Sequence, residues 1–147
     1  SFGQQKKAMI AFALALQTKI LVMDEPSNGL DIPSKQQLRQ SLSSAISPDR
    51  IIVISTHQAR DLENLIDPII IMDNDGVILN RSVAQISQIL YFSLEKEVLP
   101  TAIYSEITLG GVLNISVNSA SLESVVNIEA LFNAVLTNRD LIVSLFR

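Results

Sequence analysis

The chain has 147 residues, enough for one domain with a real core. Apolar residues make up 48% and charged residues 18%, which excludes a disordered chain, and a net charge of -4 argues against one built to coat nucleic acid. The absence of cysteine excludes disulfides, thiolate metal sites and cysteine nucleophiles, and it fits a cytosolic protein.

The first residue is Ser rather than Met and falls inside what reads as a motif, so a truncated N-terminus is expected. Gln5 to Thr18 is rich in Ala, Leu, Lys and Gln and predicts a helix. Apolar residues nearly encircle it from Ala8 on, so it is expected to be buried. The run Ala8 to Leu16 is too short to span a bilayer, so any membrane link is expected to go through a partner. Ile20 to Met23 is a continuous apolar run closed by Asp24, Glu25 and Pro26, as in a parallel strand covered on both faces. Ser27-Asn28-Gly29 is turn chemistry. A helix follows to about Ala45, with Pro33 in its first turn and Asp31 as N-cap. Ile51 to Ile54 is a second apolar strand ending at Ser55-Thr56-His57, and a short helix is expected from Ala59 to Leu65. Helices alternating with apolar strands indicate a parallel α/β sheet.

Beyond this point the pattern changes. Ile69 to Met72 and Val77 to Leu79 flank Asp75-Gly76 and predict a hairpin. Ser82 to Phe92 predicts a helix capped by Ser82, with Val83, Ile86, Ile89 and Leu90 on one face. Ile103 to Ile107 and Val112 to Val117 flank Gly110-Gly111 as a second hairpin. Ile128 to Thr137 and Leu141 to Phe146 predict a helix broken near Asn138, so Ser93 to Arg147 reads as a small α+β appendage.

Four short segments carry chemistry. Ser1-Phe2-Gly3-Gln4-Gln5-Lys6-Lys7 stands before a helix, where backbone N–H groups and the helix dipole favour an anion; plain capping by Ser1 is the alternative. Asp24 and Glu25 end a buried strand, where open α/β sheets bind ligands. There Asp24 is placed to bind Mg²⁺ and Glu25 to orient or deprotonate a water, against the alternative of a solvated acidic loop entry. Ser27 to Asp31 alone is an ordinary turn into a helix. His57 is the single histidine, which excludes a histidine zinc cluster. It is placed to contact a phosphate or a water, or is satisfied by local hydrogen bonds.

Taken in order, Ser-Phe-Gly-Gln-Gln-Lys-Lys, Ile-Leu-Val-Met-Asp-Glu-Pro, Ser-Asn-Gly-Leu-Asp and Ser-Thr-His resemble the signature motif, Walker B, D-loop and switch histidine of ABC transporter ATP-binding subunits. The likeness covers Ser1 to about Arg81. It implies an α/β fold: part of a P-loop NTPase (ABC ATPase) parallel sheet in residues 1–81, then an accessory helix and α+β segment in 82–147. It further implies that Asp24 holds Mg²⁺, that Glu25 is the general base and that His57 touches the γ-phosphate and the water. Asp31 would link two sites across a dimer, and Ser1, Gly3 and Gln4 would face ATP held by the opposite subunit. The implied cofactors are ATP and Mg²⁺. The implied partners are a second ATPase subunit and a transmembrane permease, with no nucleic acid, and the implied location is the cytoplasmic face of a membrane.

Two departures stand out. Phe2 replaces a family glycine and removes one close backbone approach to phosphate. None of Gly3, Gly29, Gly76, Gly110 and Gly111 is followed by Lys, so the 147 residues contain no Gly-x4-Gly-Lys-Ser/Thr phosphate loop. The chain is therefore expected to be inactive alone, to expose apolar surface and a sheet edge, and to self-associate. The alternatives are a non-transport ABC ATPase acting on ribosomes or chromosomes, which Gly29, the Pro26-Ser27-Asn28 run and the acidity disfavour, and a degenerate non-enzymatic module, which intact Asp24, Glu25 and His57 disfavour.

Overall fold

Parallel strands need a long connection, and residues 25–50 supply one. The computed structural model describes residues 2–147 and divides the chain into two compact units that part after Leu65.

In the first unit, helix α1 spans Phe2–Ala15 and strand β1 Ile20–Asp24. Helix α2 spans Ile32–Ala45, strand β2 Ile51–Ser55, and a 3₁₀ turn Ala59–Leu62 follows. β1 and β2 pair in parallel, from Ile20 opposite Ile51 to Asp24 opposite Ser55. α2 starts as its sequence dictates: the Asp31 side chain accepts from the Ser34 N–H at 3.1 Å, and Pro33 sits in the first turn. Its buried Leu38 and Leu42, with Leu21, Met23, Leu30 and Leu62, form this unit's core.

Three expectations fail here. α1 begins three residues early and ends at Ala15, and it is not buried: Met9 and Phe12 are largely exposed. Its apolar residues lie on every side, so α2, its helical neighbour, covers only part of it. β1 is covered on one face only; Leu21 and Met23 are buried while Ile20 and Val22 are open, and Ile51 and Val53 opposite them are open too. A two-stranded sheet offers no second layer for that face. The helix expected at Ala59 to Leu65 is the shorter 3₁₀ turn. Exposed apolar surface and unpaired sheet edges are present, as expected.

In the second unit, β3 (Ile69–Asp73) and β4 (Gly76–Arg81) form an antiparallel hairpin whose turn ends on Gly76 at φ 128°, a region L residues avoid. Helix α3 spans Val83–Ile89 and starts with a capping box between Ser82 and Gln85. β5 (Leu90–Glu95), β6 (Ala102–Thr108) and β7 (Gly111–Val117) make an antiparallel sheet in the order β5-β7-β6. Helices α4 (Ile128–Thr137) and α5 (Arg139–Leu145) break at Asn138, as the sequence indicates. α4 packs on β6 and β7, and α5 on β4. The helix expected to reach Phe92 stops at Ile89, because Leu90 and Phe92 alternate inward as a strand on β7. The hairpin, grouped by its motif context with residues 1–81, belongs by its packing to the second unit: Arg139 pairs with Asp73 at 2.7 Å, and Arg81 donates to the Phe146 carbonyl.

Candidate active site

Parallel pairing brings the C-terminal ends of β1 and β2 together, so Asp24 lies opposite Ser55 and the next residues meet. The Glu25 N–H donates to the Ser55 carbonyl (2.8 Å), which extends the ladder by one bond. The chain then turns at Glu25, which takes φ 44°, a left-handed value for a residue with a side chain. Asn28 N–H closes the turn on the Glu25 carbonyl at 3.2 Å, and Gly29 follows at φ 74°.

This turn aims the Glu25 carboxylate at the end of β2. Oε1 accepts from the His57 N–H (2.8 Å) and faces the His57 Nδ1 (2.5 Å), while Oε2 accepts from the Thr56 hydroxyl at 3.0 Å. Partial burial pushes the Glu25 carboxyl up, but the bonds from the His57 ring, the His57 N–H and the Thr56 hydroxyl outweigh it and hold it below its ordinary value. Glu25 is therefore ionised throughout the neutral range. Oε1 is filled by two donors, whereas Oε2 has one and keeps an acceptor site for a further donor. The His57 side chain is 70% exposed, so its ring is accessible from outside.

Asp24 is exposed and accepts from the Ser55 hydroxyl. No group of three or more metal-binding side chains exists among the described residues. Asp24 thus offers one carboxylate, which suits an Mg²⁺ that takes its other ligands from water and phosphate.

The other sequence candidates lie elsewhere. Gly3 sits in the first turn of α1, where an added Cβ would lie 3.7 Å from the Gly29 carbonyl, so the helix start rests on the turn before Asp31. Gln4 is exposed on the same helix. The Asp31 carboxylate is turned to its own helix, and bonds from the Ser34 hydroxyl and N–H hold it below its ordinary value. Ser1 lies outside the described residues. The structure therefore joins Asp24, Glu25 and His57 in one place, while the Asp31 carboxylate is bonded to Ser34 instead.

Some participants escaped the sequence reading. Thr56 and Ser55 were visible only as neighbours of His57; strand register makes them partners of the acidic pair. Lys35 reaches the Gln58 side chain (3.1 Å) and Asp61 (2.6 Å), which ties the segment after His57 to α2. Lys6 donates to the carbonyls of Glu25 and Asn28. No local pattern announces such long-range bonds between a side chain and the backbone.

No family model matches the chain. It is 34% identical over 92 residues to the energy-coupling factor transporter ATP-binding protein EcfA2 of Streptococcus sanguinis, covering 63% of this chain and 33% of that protein. EcfA2 of Streptococcus pyogenes is 35% identical over 80 residues, 54% of this chain and 29% of its own length. A protein of Halobacterium salinarum, provisionally named an ABC transporter ATP-binding protein, is 37% identical over 81 residues, 55% of this chain and 34% of its own. Each matched stretch spans about a third of the relative's length. The curated relatives of this chain are ABC transporter ATP-binding proteins, the family that its ordered motifs resemble.

Proposed function

We propose that this chain is the part of an ABC-type ATPase that runs from the signature motif onward, with residues 1–81 in a P-loop NTPase domain and 82–147 as an accessory segment. The intact protein hydrolyses ATP to drive a membrane permease from the cytoplasmic face. The observation that carries the reading is the meeting of Asp24, Glu25 and His57 at the ends of two parallel strands. The relatives' names supply the transport setting. No helix among the described residues is long and apolar enough to cross a membrane, which suits an attachment through a partner.

The chemistry is phosphoryl transfer to water, where positioning and charge stabilisation dominate. Bound Mg²⁺ and the nucleotide supply the electrophilic phosphorus and neutralise its charge. Asp24 is the residue here that would hold the metal. Glu25 accepts a hydrogen bond from the attacking water at Oε2, its free acceptor site. Placed there, Glu25 orients or deprotonates that water. Thr56 and the His57 backbone fix that carboxylate, and the exposed His57 ring can turn toward a phosphate oxygen. Gly3, Gln4 and Ser1 serve a nucleotide on a second ATPase subunit, and Asp31 links the two sites.

The test is phosphate release from MgATP, by the 147-residue chain and by the full product of its reading frame. The chain alone is expected to stay at background, and the full product to turn over ATP and lose activity when Mg²⁺ is chelated. Turnover by the 147-residue chain would overturn the shared-site reading.

A further inference from the structure

We propose that Lys6 is a positioning residue for Glu25: its ammonium holds the turn at residues 25–28 so that the carboxylate faces Thr56 and His57. The inference rests on reading Glu25 as the water-orienting group.

Lys6 lies in the second turn of α1. Its Nζ donates to the Glu25 carbonyl (2.5 Å) and to the Asn28 carbonyl (2.8 Å). No acidic side chain pairs with it among the described residues. The two carbonyls belong to one tight turn and converge on one point. Their negative ends repel unless a donor or a cation stands between them, and a charged donor is the strong form of that bond. The Glu25 carbonyl also accepts the Asn28 N–H that closes the turn, so Lys6 grips the turn at both ends.

The grip matters because Glu25 is left-handed, at φ 44°. A residue with a Cβ leaves that region when nothing holds it. Rotation toward negative φ would swing the Cβ and carry the carboxylate away from the end of β2. Two tethers oppose this. The carboxylate is bonded to Thr56 and His57, and the carbonyl is bonded to Lys6 on a different element. Without the second tether the first must hold a strained backbone alone.

His57 is the only histidine, so its ring nitrogens give one set of signals in a two-bond proton–nitrogen spectrum. Its Nδ1 faces a carboxylate oxygen at 2.5 Å, and an ionised carboxylate only accepts. The neutral ring must then carry its proton on Nδ1. The spectrum is recorded on the 147-residue chain in mild alkali, at the pH where the ring nitrogen signals stop changing. Wild type is expected to show the Nδ1–H tautomer. Lys6→Met, similar in length and uncharged, is expected to reduce that tautomer to a minority, and Lys6→Arg to keep it. Glu25→Ala, which leaves no acceptor beside Nδ1, marks the signal of a released ring.

Lys6→Met that keeps the Nδ1–H tautomer overturns the proposal. So does loss of the β1 and β2 methyl signals in Lys6→Met and Lys6→Gln alike, because the role would then be structural. A full product whose ATP turnover ignores Glu25→Gln would overturn the reading of Glu25 instead and leave the tautomer result standing.

Discussion

The two compact units differ in how far each closes its own core. In the second unit, α4 buries Leu131, Ala134 and Val135 completely, and Ile86, Leu90, Ile115 and Ile142 are equally dry. In the first unit, α1 buries no side chain that the structure describes, and the outer face of β1 and β2 is a bare patch of Ile20, Val22, Ile51 and Val53. The candidate site sits on the open unit. Parallel strands place chemistry at their ends, but they need cover on both faces, and two strands with one helix layer provide it on one. The chemical side chains are therefore held by a few specific tethers rather than by a deep core.

The largest expected effect separates the units by stability. Leu131→Ala removes a fully buried side chain and should cost the second unit roughly 2–5 kcal/mol in urea unfolding. The ring signals of His57, in the first unit, should not move. A shift of those signals, or a loss much below 2 kcal/mol, would break the separation.

A smaller effect comes from pH. The Glu25 and Asp31 carboxyls are held below their ordinary values, so their contribution to the first unit is full above the unfolded value of about 4 and is lost as pH falls through the folded one. In the second unit, burial and then the neighbouring Glu106 push the Tyr104 hydroxyl up. Its contribution is full below the unfolded value of about 10 and is lost as pH rises through the folded one. Acid should therefore loosen the first unit before the second, and alkali the reverse, followed by residue-resolved hydrogen exchange. The opposite order in acid would contradict the assignment.

The smallest effect on stability concerns the bare face. Val22 is 69% exposed, so Val22→Lys should change stability within about 0.5 kcal/mol. It should nevertheless reduce self-association in light scattering, because it places a charge in the apolar patch. A wild-type chain that stays strictly monomeric at high concentration would contradict this.

Much of this organisation was legible in the sequence, and the failures are instructive. Continuous apolar runs gave both parallel strands, Asp31 and Pro33 gave the start of α2, and Asn138 marked the break between α4 and α5. The stop of α3 at Ile89 was hidden because Leu90 and Phe92 suit either a helix face or an alternating strand, and pairing with β7 decides. An apolar helix surface says what should be covered, not what covers it, and Met9 and Phe12 of α1 stay exposed. The acidic pair and His57 were visible as residue types at strand ends. The tethers were not: Thr56, Lys35 and Lys6 act through register and reach, which a local pattern does not encode.

The central claim is that Glu25, fixed by Thr56 and His57, serves water-dependent ATP cleavage. Steady-state phosphate release by the full product, wild type against Glu25→Gln, tests it most directly. Glu25→Gln should lower turnover by roughly 10²–10⁴-fold while ATP still binds. Turnover within a factor of about two of wild type, a difference worth well under 1 kcal/mol of barrier, would contradict the account.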